Sequence, residues 1–317
     1  MTLTQRFPRE AAQNFVESYR PDARILRVRR LRGGLGAQTH VLTLAAPDGS
    51  RERVVLRRHL VRESFNPERA EREFRTLKVV NDVGIPSARA LHIDAEGKYF
   101  GAPALLLSYL PGRSLYEPRD EVAWTEQLAR VMLSIHAISP ADRDLSWLPG
   151  FSRDEIATEL EELKPESEKA GALARRVHAT LVANLDRVAW PEPCLIHEDF
   201  WPGNTVWFRQ RLIGVIDWVN AKVGDPRCDV TQCAIDAMLV HGPESADRLR
   251  DTYQRLAAAA LPDIWYFDLF NGLRSLLYYK HWLRGYHDAG LTQVTEAIAS
   301  KRIHQMLRTA LRESEGR

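Results

Sequence analysis

Two short apolar runs in this chain each end abruptly in polar residues. Leu195-Ile196 leads into His197-Glu198-Asp199-Phe200-Trp201-Pro202-Gly203-Asn204, and Leu212-Ile213-Gly214-Val215-Ile216 leads into Asp217-Trp218. A brief, nearly uninterrupted apolar run bounded by Pro, Gly and charge reads as a buried strand. Charge cannot enter such a strand without a large desolvation cost, so the acids fall where the strands stop. The stretch 194–217 therefore reads as short strands and loops, set between segments of helical periodicity. Loops held by a rigid scaffold are where functional side chains concentrate.

The rest of the chain divides around this stretch. Ala23 to Leu31 alternates apolar and basic residues, Thr39 to Leu44 resumes a strand pattern, and Pro47-Asp48-Gly49-Ser50 signals a turn before a third strand, Arg53 to Arg57. Pro67 to Val83 is helical in period, with Ala70, Phe74, Leu77 and Val80 on one face and Gly84 closing it. Two further strands are expected near Ala88–Ile93 and Ala102–Tyr109, with Pro111-Gly112 ending the unit. Beyond that point amphipathic helices are expected over Glu121–Ile138, Ser167–Val188, Arg227–Leu239, Ser245–Ala260 and Trp265–Tyr286. The class is α+β: a small sheet-rich N-lobe over residues 1–108 and a larger, mainly helical C-lobe over 109–317.

Three polar groups in the central stretch match the needs of phosphoryl transfer. A carboxylate must accept the proton of an attacking hydroxyl, while a second carboxylate and an amide oxygen hold the Mg²⁺ ions that neutralise the β- and γ-phosphates. His197-x-Asp199 followed by Asn204 has the spacing of a kinase catalytic loop, and Asp217 at a strand end matches a metal ligand. Singly, each would read as a loop cap or strand terminus; the ordered set favours the chemical reading.

The chain resembles the aminoglycoside phosphotransferase family, relatives of the protein kinases that phosphorylate antibiotics and metabolites. The resemblance is carried by His197 to Asn204, by Ile216-Asp217-Trp218, and by Gly224-Asp225-Pro226 with Asp229. It implies a protein-kinase-like bilobal fold, an N-lobe with an antiparallel sheet plus one helix, ATP or GTP as phosphate donor, and Mg²⁺. It also implies Asp199 as catalytic base, Asn204 and Asp217 as metal ligands, and His197 as a brace for the loop. Asp225 and Asp229 read as structural, capping the helix that begins near Pro226.

On the nucleotide side, Gly33-Gly34-Leu35-Gly36 lies between two strands, where glycine permits positive φ and close backbone approach to phosphate. A simple hairpin is the alternative. Arg57 on the third strand occupies the place of the kinase lysine that contacts the α/β-phosphates; arginine keeps the charge and can bind phosphate bidentately. Its glutamate partner is sought on the following helix, where Glu71 and Glu73 both qualify. Glu73 flanks the buried face and matches the family's Arg-Glu pair, whereas a solvated charge is the expectation for Glu71. Ser108 and Leu110 at the lobe connector correspond, by resemblance, to the backbone segment that meets the nucleobase.

Composition excludes several alternatives. With 44 Lys+Arg against 42 Asp+Glu there is no basic excess for coating nucleic acid, and the arginines from Arg24 to Arg32 read as one solvated strand face. Three cysteines without a C-x-x-C pair fit a reduced, cytoplasmic protein, and neither a secretion signal nor a membrane-length apolar run is present. The expected partners are a nucleoside triphosphate and a small-molecule hydroxyl acceptor, with no nucleic acid and no membrane. An antibiotic acceptor is expected. The alternatives are a metabolite kinase for a sugar, choline-like or homoserine-like substrate, and a catalytically weak nucleotide sensor, suggested by Arg57 and by Glu198 beside Asp199. The aromatics of 265–270 and 278–282 fit core packing at helical spacing before they fit an apolar acceptor pocket. Asp236 and Asp268 are isolated acids rather than a site for a polycation.

Overall fold

The computed structural model describes residues 7–31, 36–59 and 67–316. Its contacts divide the chain into two compact units, Met1–Pro111 with Gly214–Val219, and Gly112–Ile213 with Asn220–Arg317.

The first unit opens with a helix, α1 (Arg9–Tyr19), that its mixed polar sequence did not announce. Strands β1 (Arg24–Arg30), β2 (Ala37–Ala45) and β3 (Arg51–His59) follow, then helix α2 (Pro67–Asp82) and strands β4 (Ala90–Asp94) and β5 (Ala104–Ser108). The sheet is antiparallel throughout, in the order β1-β2-β3-β5-β4. Side chains alternate across a strand, and β3 uses this fully. Val54 and Leu56 are buried on one face among Ala12, Phe15 and Val16 of α1, while Arg57 and His59 fall on the other. Register places Arg57 between Thr39 and Leu105. The segment Gly214–Val219 joins this unit through the Val215 amide, which donates to the Pro86 carbonyl at 2.8 Å.

The second unit contains α3 (Glu121–His136), β6 (Gly150–Phe151), α4 (Arg153–Ala170), α5 (Ala172–Asn184), β7 (Cys194–Ile196), β8 (Thr205–Phe208) and most of β9 (Arg211–Val215). It continues with β10 (Lys222–Gly224), α6 (Arg227–His241), α7 (Pro243–Ala257), α8 (Ile264–Asp288) and α9 (Glu296–Glu315). The helix expected over Ser167–Val188 is two helices. A capping box at Ser152 and Glu155 starts α4, the helix passes through Pro165, and Gly171 at φ 111° separates it from α5. The expected helix began at Ser167, beyond Pro165; α4 starts at Arg153, runs through this proline and ends at the glycine.

A three-stranded sheet, β6-β10-β7, sits among these helices. Gly224 is required there, because a Cβ would lie 2.7 Å from the Phe151 carbonyl oxygen. Helix α6 is buried almost all round, so it is a core helix rather than an amphipathic one. Trp265, Tyr266, Phe267 and Phe270 of α8 are likewise core, as their helical spacing suggested.

Phe15 stacks on His92 and meets Tyr99 and Phe100 edge-on or tilted, anchoring α1 to the sheet. Phe15→Ala is expected to lose about 3–5 kcal/mol of unfolding free energy in urea. Leu26→Ala, at a side chain 46% exposed, is expected to stay within about 0.5 kcal/mol of the parent.

Candidate active site

In the second unit, strand β7 is wholly buried and delivers His197-Glu198-Asp199 into a turn. The backbone of that turn is held by Asp229, from the first turn of α6. Its carboxylate accepts from the His197 amide at 2.7 Å and from the Glu198 amide at 2.8 Å. His136 of α3 approaches the same carboxylate through Nε2 at 3.1 Å, and its Nδ1 pairs with the Tyr253 hydroxyl at 2.7 Å. Asp229 is fully buried. Burial alone would raise its pKa, but the His136 hydrogen bond and charge, with His197, hold it below the usual carboxylate value. Sequence reasoning assigned Asp229 to a helix cap; it is the loop's anchor.

Asp199 and Asn204 are brought together. The Asn204 side-chain nitrogen donates to both the backbone oxygen and Oδ2 of Asp199, each at 2.9 Å. A 3-10 turn, Pro202–Asn204, makes this possible, and Gly203 is obligatory in it because a Cβ would fall 2.1 Å from the Trp201 ring. Ser114 Oγ fastens the turn by donating to the Gly203 carbonyl at 2.9 Å. Trp201 lies against Tyr116 and Tyr286, with ring centroids 5.9 and 5.5 Å away. The Tyr286 hydroxyl donates to Asp236, whose carboxyl burial pushes up to about 6. Asp236 is thus buried and partnered, and Asp268 is paired with Arg250 at 2.7 Å.

Glu198 adopts φ 64°, a left-handed conformation uncommon for a residue other than glycine. Its carboxylate lies 3.0 Å from Arg274 of α8 and 3.6 Å from Lys222 of β10. It is compensated by two cations, so it acts on Asp199 as half of an ion pair rather than as a bare charge. Asp225 is also structural: it binds the buried Arg227, which donates onward to the carbonyls of Ala189 and Pro262 at 2.6 and 2.5 Å.

The first unit holds the other predicted residues. Arg57 Nε lies 3.2 Å from Glu73, which is 1% exposed, and its guanidinium also donates to Asp217 Oδ1. His59 Nε2 stands 3.4 Å from the same Glu73 oxygen. The structure thus brings Arg57, Glu73 and Asp217 together and leaves Glu71 exposed. Asp217 has φ 67°, tolerable for Asp, and the following turn buries Trp218. The Ser108 hydroxyl accepts from the Arg89 amide at 2.8 Å, and the Leu110 side chain lies over Gly214. Gly36 is exposed, with open space where a Cβ would stand, whereas Gly33 and Gly34 lie outside the described residues.

For Mg²⁺, the donors present suit a hard cation. Asn204 spends its nitrogen on Asp199, which leaves the amide oxygen as the atom a cation would take, and Asp217 offers a carboxylate. No group of three or more His, Cys, Asp or Glu side chains among the described residues forms a cage.

The model of a family described as the phosphotransferase enzyme family matches residues 27–265. Among solved structures, a candidate aminoglycoside phosphotransferase from Ralstonia eutropha superposes with a TM-score of 0.65 at 15% identity, covering 98% of this chain and 99% of that one. The macrolide 2'-phosphotransferase MphH from Brachybacterium faecium gives 0.63 at 17%, covering 94% and 97%. Aminoglycoside phosphotransferase APH(4)-Ia, in ternary complex with ADP and hygromycin B, gives 0.62 at 18%, covering 94% and 98%. These similarities establish an α+β, kinase-like phosphotransferase fold. A curated mouse protein, acyl-CoA dehydrogenase family member 10, is 24% identical over 196 residues, 57% of this chain and 18% of that protein.

Removing the loop anchor has a defined cost. Asp229→Ala is expected to lose about 3–5 kcal/mol in chemical denaturation at neutral pH, because it strips a buried charge from its partners. The folded pKa of Asp229 is depressed below its usual 3.8, so its contribution is present above that value and fades as pH falls through the folded pKa. The difference between parent and variant is therefore expected to shrink in measurements made in acid below that range.

Proposed function

Because the chain belongs to the phosphotransferase enzyme family, we propose that it transfers the γ-phosphoryl group of ATP or GTP to a hydroxyl of a small molecule, an antibiotic-like compound in the first instance. The observation that carries the reading is Asp199 held by Asn204 in the turn that follows a buried strand, a turn whose backbone Asp229 grips. The nucleotide and antibiotics bound in structural neighbours support the two substrate classes.

In this reaction Asp199 accepts the proton of the acceptor hydroxyl as its oxygen attacks the γ-phosphorus. The bond to the bridging oxygen of the β-phosphate breaks, and the nucleoside diphosphate departs with the electron pair. Positioning and charge neutralisation supply most of the acceleration, since the phosphoryl group passes through a loose transition state. Arg57, aimed by Glu73, binds the α/β-phosphates in the role of the kinase lysine. Asn204 and Asp217 would hold Mg²⁺, which supplies positive charge against the β- and γ-oxygens when bound. Ser108 and Leu110 offer backbone groups to the nucleobase, and Gly33, Gly34 and Gly36 cover the phosphates. No helix among the described residues is long and apolar enough to cross a membrane. The cytoplasm is the compartment of this reading, and Cys194, Cys228 and Cys233 are buried and free.

Mass spectrometry tests the reading. Purified protein is incubated with Mg²⁺, ATP or GTP and a pooled panel of aminoglycosides, macrolides, sugars and amino alcohols. An acceptor heavier by one phosphoryl group is expected with the parent. Asp199→Asn is expected to lower turnover by about 10²–10⁴-fold, the usual contribution of a general base. Equal product from parent and variant would remove Asp199 from the role. Arg57→Met is expected to raise the nucleotide KM by about tenfold or more through loss of a charged phosphate contact.

A further inference from the structure

Outside the groups already given roles, a partly buried cluster of four charges in the second unit lies directly behind the catalytic turn. Glu198, Arg274, Glu159 and Lys222 come from the β7 turn, α8, α4 and β10. Arg274 Nη2 donates to Glu198 Oε1 at 3.0 Å, and its Nε lies 3.1 Å from Glu159. Lys222 stands 3.6 Å from Glu198 and packs over the Phe151 ring at 4.0 Å. The β10 register sets Lys222 opposite Ile196, so it arrives beside the turn by strand pairing alone. Glu198 is only 8% exposed at its side chain. Two acids and two bases make the cluster neutral.

The backbone makes this placement informative. At φ 64° a glycine would sit without strain, yet the chain places glutamate there, immediately before Asp199. A strained residue persists when its surroundings over-determine it, and here Asp229 holds the Glu198 amide while Arg274 holds its side chain. We propose that Arg274 is a positioning residue for phosphoryl transfer: through Glu198 it holds the turn that presents Asp199, and it cancels the charge that Glu198 brings beside that base. The inference rests on the phosphotransferase reading above.

Charge counting separates this role from mere propping of α4 against α8. Arg274→Met leaves Glu198 and Glu159 against Lys222 alone, one negative charge in excess, and removes the guanidinium's tie to the Glu198 side chain while the Asp229 bonds to the backbone remain. Adding Glu198→Gly removes that excess and relieves the backbone, leaving Glu159 and Lys222 balanced. If Arg274 served only to join helices, the second change would repair nothing.

Arg274→Met is expected to lower kcat by about 10–100-fold through misplacement of the base, with nucleotide Kd unchanged within about twofold. The double variant Arg274→Met/Glu198→Gly is expected to recover kcat to within about threefold of the parent, the non-additivity expected of coupled groups. Hydrogen exchange over 194–204 provides the readout that needs no turnover. It should quicken by about tenfold or more in Arg274→Met, as local opening does when a tie is lost, and return towards the parent in the double variant. A double variant as impaired and as open as Arg274→Met would overturn the proposal. A parent with no phosphotransfer would count against the phosphotransferase reading, and exchange alone would then decide the role of Arg274 in holding the turn.

Discussion

A buried carboxylate gripping two successive backbone amides is the constraint on which the second unit's site depends. Asp229 sits out of water and must find donors, because an unpaired buried charge costs several kcal/mol. It finds them in the amides of His197 and Glu198 and in His136. Those bonds fix the direction in which β7 leaves its sheet, and with it the position of Asp199. The 3-10 turn then returns Asn204 to the Asp199 carboxylate. Each step is local, but the anchor comes from α6 and the brace behind it from α3, so packing of the helical core is what aims the turn that carries Asp199.

The first unit solves a related problem with opposite charge. Arg57 stands on the face of β3 away from the apolar core, where alternation puts it, and a cation there needs acids nearby. Glu73 from α2 and Asp217 from the segment after β9 supply them. Arg57 and Asp217 of this group are the residues proposed above for phosphates and a divalent cation. The replacement of lysine by arginine therefore keeps the pairing logic, since a planar guanidinium can serve two carboxylates at once.

Much of this was legible in the sequence, and the reason is periodicity. The alternation of β1 to β3, the face of α2 and the apolar lead-ins to Asp199 and Asp217 are short-range patterns, and the structure reproduces their elements within a few residues. Preference for Glu73 over Glu71 also followed from facing, and Glu73 is the one beside Arg57. What stayed hidden was set by distance along the chain. Nothing near Asp229 reveals that its partners lie some thirty residues back, and nothing near Glu198 points to Arg274. Helix α1 was missed because its three buried residues, Ala12, Phe15 and Val16, are scattered among polar ones. The break at Gly171 and the start of α4 at Arg153 were not expected: one helix was read over Ser167–Val188, on the far side of Pro165.

In the proposed reaction Asp199 acts as a base in a single direct displacement rather than as a nucleophile that first takes the phosphoryl group. The configuration at the transferred phosphorus reports this directly, using a nucleotide whose γ-position is made chiral by isotopic and thio substitution. Inversion in the phosphorylated acceptor is the result expected of one in-line transfer. Retention would mean two displacements through a covalent intermediate and would contradict the assignment of Asp199 as the base.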